Sequence, residues 1–130
     1  VYKDYCHIGV AVDTDGGLIV PVLRDADKND LLQISSDLHA LTEKTRQRKI
    51  SIEELQGGSF TISNQGSVGG GHFTPIIHWP EVAVLGVGRA VAGKLPLSLS
   101  YDHRVIDGAD AARFVTALAQ AIETFREAEL

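Results

Sequence analysis

Apolar residues recur along this chain with two different periods, and the changes of period divide it into strands and helices. Cys6 to Val12 and Leu18 to Leu23 are apolar, β-branched runs. The Asp13-Thr14-Asp15-Gly16-Gly17 stretch between them has the turn chemistry that joins two antiparallel strands as a hairpin. Asp30 then precedes Leu31, Leu32, Ile34, Leu38 and Leu41, which fall on one face of a helix whose first free N–H groups a carboxylate can cap. That spacing predicts a helix from Asp30 to about Lys49. Ser51-Ile52-Glu53-Glu54 has the form of a capping box and opens a short further turn, ended by Gly57-Gly58. Ser59 to Ser63, Val82 to Val87 and Leu95 to Tyr101 read as strands, with a glycine-rich loop over 64–71. Ala109 to Arg126 carries Ala112, Val115, Leu118, Ala119 and Ile122 on one face of a closing amphipathic helix. Strands mixed with two long helices predict an α/β (α+β) sandwich, a mixed sheet with flanking helices and no internal repeat.

Composition narrows the class. With 130 residues, 44% of them hydrophobic, the chain can bury one modest core. A net charge of -5 argues against a nucleic-acid surface as its main business. The basic cluster Lys44 to Lys49 falls at a helix end, where cations meet the helix dipole favourably; a partner-docking patch is the other reading. A lone Cys6 excludes an intrachain disulfide framework, fits a reducing compartment and reads as a packed strand residue. No apolar run has the length of a membrane span, so no membrane partner is expected. The chain has no Met and reads as part of something longer or a processed product.

Several constellations can be set aside. Gly86-Val87-Gly88 follows a strand, but its sixth position is Val91 and another strand comes next, so it is not a dinucleotide loop. Gly69 to Gly71 lack the Lys-Ser/Thr pair of a phosphate loop and read as a flexible or close-approach turn. There is no Gly-x-Ser-x-Gly elbow. His72 and His78 have no carboxylate or cysteine cluster to complete a metal site, so no metal is expected. His7 and His39 have no partner visible in the sequence, and Trp79-Pro80 reads as an apolar anchor at a turn, in a core or an interface.

The segment with most chemistry in it is Leu97-Ser98-Leu99-Ser100-Tyr101-Asp102-His103-Arg104-Val105-Ile106-Asp107-Gly108. An alternating strand delivers His103, and Asp107-Gly108 follow four residues later. Histidine is the side chain whose unperturbed pKa lies nearest neutrality, so at the end of a rigid element it can accept and return a proton. Asp107 can fix the turn and Gly108 lets the chain bend into the next helix. The same spacing also suits a turn whose histidine only caps a neighbouring group.

Gly58 to Asn64, Phe73 to Ile77, Pro80 to Gly88, the His103 segment and Ala111-Ala112-Arg113-Phe114 occur in this order, joined by Gly9 to Thr14 and Gly17 to Val22. Together they resemble the catalytic core of the dihydrolipoamide acyltransferases of 2-oxo acid dehydrogenase complexes, over about Ile8 to Ile122. The wording is most similar to the acetyl-transferring, pyruvate-dehydrogenase type, ahead of the succinyl and branched-chain types.

The resemblance implies a chloramphenicol acetyltransferase-like fold, with homotrimers assembling into a larger hollow core and an active site at the boundary of two subunits. It implies His103 as general base, Ser63 as the hydroxyl donor to the oxyanion from across that boundary, and Asp107 as support for the loop and the histidine. The substrates implied are coenzyme A, as acetyl-CoA, and a lipoyl group carried by a lipoyl domain. The implied partners are the 2-oxo acid dehydrogenase and dihydrolipoamide dehydrogenase components, in the bacterial cytoplasm or the mitochondrial matrix. The family normally has a considerable stretch before the position of Val1, and a longer excursion where this chain has Arg89 to Leu95. The expectation is therefore one partial catalytic-core domain over 1–130, N-terminally truncated, without a lipoyl or peripheral-subunit-binding domain. An assembly scaffold without transfer, or a short acyltransferase acting on a diffusible small molecule, are the competing readings.

Overall fold

The computed structural model describes residues 1–126; the end of the domain expected over 1–130 lies outside the described residues. The chain forms two compact units, Val1–Asn64 and the residues from Gln65 onward.

In the first unit the expected hairpin is present but divided. Strands β1 (Ile8–Val10) and β4 (Val22–Leu23) pair antiparallel, while β2 (Val12–Thr14) and β3 (Gly17–Ile19) form a separate two-stranded ribbon. The break falls at Ala11 and at Val20-Pro21, because Pro21 has no N–H to donate to a ladder. The other edge of β1 pairs in parallel with β5 (Phe60–Asn64), which makes the sheet mixed. Cys6 stands outside β1 with its side chain exposed, against the expectation of a packed strand residue. Its backbone is what the fold uses: the Cys6 carbonyl accepts the Ala26 N–H at 2.9 Å.

Helix α1 (Leu31–Arg46) begins as read, with Asp30 Oδ1 accepting the Gln33 N–H at 2.8 Å. It ends three residues before Lys49. Arg48 takes a left-handed conformation, φ 57°, so that its N–H reaches Thr45 O and the Lys49 N–H reaches Lys44 O. These are the paired bonds of a Schellman stop, made with arginine at the position glycine usually holds. Ile34, Leu38 and Leu41 are partly covered, while Leu31 and Leu32 stay exposed and the fully buried residue is Thr45. The capping box is real: Ser51 N–H donates to Glu54 Oε2 at 2.9 Å and Glu54 N–H to Ser51 Oγ at 3.4 Å, around a 3-10 turn at Glu53–Leu55.

In the second unit β6 (Ala83–Val87) pairs antiparallel with β7 (Leu97–Tyr101). Ala83, Val84 and Leu85 form the core of this unit. The link between the strands is a tight turn in which Val91 and Lys94 bridge across Ala92 (φ 49°) and Gly93 (φ 74°), the positive-φ pair of a type I′ turn. Helix α2 (Gly108–Thr124) packs on β7, and Phe125 leaves the helix, so it stops short of Arg126. Its covered positions are Ala111, Val115, Leu118 and Ala119; Ala112 and Ile122, expected on that face, are exposed. No helix among the described residues is long and apolar enough to cross a membrane.

Glycines 86 and 88 serve packing. A β-carbon at Gly86 would meet Phe73 Cζ at 2.9 Å, and one at Gly88 would collide with the Gly71 carbonyl. Arg89 N–H also donates to Gly70 O at 2.6 Å, so the 69–71 glycines make the close approach.

Candidate active site

Strand β7 continues one residue past its end, with Asp102 N–H donating to Val82 O at 2.8 Å. There the chain turns. The Asp102 carbonyl accepts both Val105 N–H (2.9 Å) and Ile106 N–H (3.0 Å), and Asp107 caps the start of α2 by accepting Ala111 N–H on its carbonyl at 3.0 Å. His103 therefore sits in a turn whose two ends are tied to a strand and a helix.

The imidazole has two neighbours of consequence. The Tyr101 ring lies 5.6 Å away, centroid to centroid, inclined at 45°. A β-carbon on Gly108 would stand 3.9 Å from His103 Nε2 and 3.6 Å from the Tyr101 hydroxyl. Nε2 thus looks toward the first residue of α2, where no side chain intervenes, and the imidazole is open to solvent.

The residues on either side of His103 hold one another. Arg104 N–H and Nε donate to Asp102 Oδ1 at 3.0 and 2.9 Å, Nε also reaches Oδ2 at 3.2 Å, and Nη2 donates to Oδ2 at 2.6 Å. The Arg104 side chain and backbone N–H bonds draw the Asp102 carboxyl down to about 2. The same bond raises the Arg104 guanidinium.

His103 and Asp107 share this turn, whereas Ser63 lies in the first unit, half-buried on β5. The Asp107 side chain makes no cap hydrogen bond, and its carboxylate is exposed; the residue steadies the turn through its backbone. Sequence reasoning missed Tyr101, Asp102 and Arg104, and took Gly108 only as a bend. The signal for the pair was the Asp-x-Arg spacing, since a carboxylate readily accepts the N–H two residues on.

Two of the other histidines, His7 and His78, have structural places. His7 is buried, stacked at 4.1 Å on Tyr5, and its Nδ1 accepts the Asp25 N–H at 3.0 Å. His78 Nδ1 lies 3.6 Å from the buried Glu81 carboxylate. No cluster of metal-ligating side chains occurs among the described residues. Trp79 is 86% and Ile76 92% exposed. An open pocket of about 410 Å³ is lined by Lys94, Leu95, Leu97, Ala119 and Ile122. It opens at the start of β7, roughly 13 Å along the strand from Tyr101, so it does not serve His103.

The model of the 2-oxoacid dehydrogenases acyltransferase (catalytic domain) matches residues 1–130. The dihydrolipoyllysine-residue acetyltransferase component of the pyruvate dehydrogenase complex of Buchnera aphidicola is 49% identical over 94% of this chain and 34% of its own length. Among solved structures, the dihydrolipoamide acetyltransferase of Azotobacter vinelandii superposes with a TM-score of 0.91 at 49% identity, over 95% of this chain and 56% of that one. The cubic core of a pyruvate dehydrogenase multienzyme complex gives 0.87 at 49% identity, over 93% and 55%. The fold expected, a mixed sheet with flanking helices, is the fold of these catalytic cores. The Azotobacter work concerned the catalytic roles of a serine, a histidine and an asparagine, the last two separated by the interval between His103 and Asp107. This chain has aspartate at that distance. It spans about a third of the length of the curated relative and just over half of the solved cores.

Proposed function

From the membership of this chain in the 2-oxoacid dehydrogenases acyltransferase (catalytic domain) family, we propose that it transfers an acetyl group between dihydrolipoamide and coenzyme A and forms part of a pyruvate dehydrogenase core. The observation that carries the reading is His103, presented at the end of β7 with Nε2 toward the bare Gly108.

The chemistry needs such a base. A free thiol of pKa about 8.5 is only a few per cent thiolate near neutrality. His103 takes the proton of the coenzyme A thiol as its sulfur attacks the thioester carbonyl of acetyl-dihydrolipoamide. A carbon–sulfur bond forms and the carbonyl oxygen becomes an oxyanion, which a hydroxyl donor stabilises; losing a comparable donor costs on the order of 2.7–4 kcal/mol. The bond to the lipoyl sulfur then breaks, and that thiolate takes the proton back from the imidazolium. Because both thiols are alike, the same histidine serves in either direction. Ser63 is the donor in this reading, supplied by a neighbouring copy in a homotrimer, and Asp107 supports the turn. Coenzyme A and the lipoyl domain are substrates, no metal takes part, and the dehydrogenase components are partners of the assembled core.

The test is the rate of acetyl transfer from acetyl-CoA to dihydrolipoamide by this chain and by His103→Ala. Transfer lost on substitution is the expected result. No transfer by the unmodified chain, or equal transfer by both, overturns it and favours an assembly role.

A further inference from the structure

We propose that Asp102 and Arg104 are positioning residues that clamp the backbone on both sides of His103 and so aim its imidazole at the space over Gly108. The inference rests on the reading of His103 as the base. The direction of a Cα–Cβ bond is set by the two peptide planes that flank the residue. Here both planes are fixed. The one before His103 contains the Asp102 carbonyl, which accepts two turn N–H groups, and the plane before that is tied to the sheet by the Asp102 N–H on Val82 O. The one after it ends in the Arg104 N–H, held by Asp102 Oδ1 at 3.0 Å. The guanidinium closes the loop a second time, with Nε at 2.9 Å and Nη2 at 2.6 Å from the two carboxylate oxygens. A two-nitrogen fork on a carboxylate has a single favoured geometry, which a lone ammonium lacks.

Two alternatives are less economical. The Arg104 side chain is 89% exposed and solvent screens its charge, so the ion pair with the partly covered Asp102 adds little to global stability. As an anchor for a substrate phosphate Arg104 would have to use Nη1, since Nε and Nη2 bond Asp102, and that role would show in KM rather than kcat. What the pair does accomplish is to remove freedom from the one histidine between them. The third constraint, the Tyr101 ring, limits how the imidazole turns about its side-chain bonds.

Displacing a reacting group by about 1 Å can cost on the order of 100-fold in rate. Acetyl transfer is therefore measured for Asp102→Ala, Arg104→Ala, Arg104→Lys and the double alanine variant, with His103→Ala beside them and Lys28→Ala as a control that breaks an exposed pair elsewhere. The expected result is a fall in kcat of roughly 10- to 100-fold in each alanine variant, with KM for both thiol substrates within about twofold. The double variant is no slower than either single one, and Arg104→Lys recovers only part of kcat. Lys28→Ala is unchanged. A risen KM at constant kcat makes Arg104 a substrate contact and overturns the clamp. Unaltered kcat in variants whose transfer still depends on His103 overturns it alone. Transfer that survives His103→Ala overturns the underlying reading, and the clamp with it.

Discussion

Gly108 faces His103 across the turn, so that a single β-carbon would stand 3.9 Å from Nε2. That is ordinary contact distance, and Gly108 is in the first helical position of α2, where alanine suits the backbone better than glycine. Gly108→Ala is therefore expected to fold at least as well as the parent, with unfolding free energy unchanged or raised by up to about 0.5 kcal/mol. The methyl fills the space through which a thiol approaches Nε2, and kcat/KM for acetyl transfer should fall about tenfold or more, some 1.4 kcal/mol of transition-state stabilisation. Equal kcat/KM in the two proteins would show that the thiol comes from another side.

Gly86 and Gly88 make a stability prediction of opposite sense. At Gly86 an added methyl would press on Phe73 at 2.9 Å and on Pro75 Cδ at 3.2 Å; at Gly88 it would collide with backbone, which cannot rotate away. Alanine at either position should destabilise by about 1–3 kcal/mol, the usual penalty of overpacking. Gly71→Ala, with nothing near its β-carbon, should stay within about 0.5 kcal/mol of the parent. Urea midpoints compare the three, and an unchanged midpoint for Gly88→Ala would contradict the close approach of the 71 and 88 backbones.

The strands and helices were legible because apolar period and capping chemistry are local. Asp30 and the Ser51/Glu54 box each made the bond their residue types announce. The end of α1 was not legible, since arginine at 48 takes the left-handed position without the glycine that would mark it. His103 was readable from the strand that delivers it, but its neighbours were not. The Asp102 and Arg104 side chains look like solvated charges until the turn folds them onto one another. Tyr101 looked like one more alternating strand residue, and its place beside the imidazole depends on where β7 ends. Cys6 misled because apolar neighbours suggest packing, whereas its side chain is exposed and its carbonyl holds the Ala26 N–H.

Acid should act on two ion pairs before it reaches the core. Asp102 is drawn from 3.8 to about 2 by Arg104, and Glu54 is lowered from 4.5 by Lys44 and then by the Ser51 N–H. Both carboxyls have folded values below their unfolded ones, so what they contribute is present above the unfolded value and is lost as pH falls through the folded one. The Asp102 pair is thus intact throughout the neutral range and opens only near pH 2. In Lys44→Gln the stability lost relative to the parent should be largest at neutral pH and should shrink as pH drops below 4.5. Urea unfolding at a series of pH values measures this; a difference that stays constant down to acid would assign the loss to packing of the lysine stem.

His103 and Ser63 lie in different compact units of the chain, and the proposed mechanism takes the hydroxyl from a neighbouring copy. If it does, a trimer mixed from His103→Ala and Ser63→Ala chains contains boundaries at which an intact histidine meets an intact serine. Each variant alone has none. Transfer by the Ser63→Ala trimer should be reduced on the order of 100-fold or more, as for other lost oxyanion donors, and that by His103→Ala should be nearly absent. Unfolding and refolding the two together at equal ratio should then restore a sizeable fraction of the parent rate. Simple mixing without subunit exchange should restore none. If the co-refolded sample transfers no faster than the average of the two variants, each site draws its serine and histidine from a single chain, and the subunit-boundary geometry is wrong.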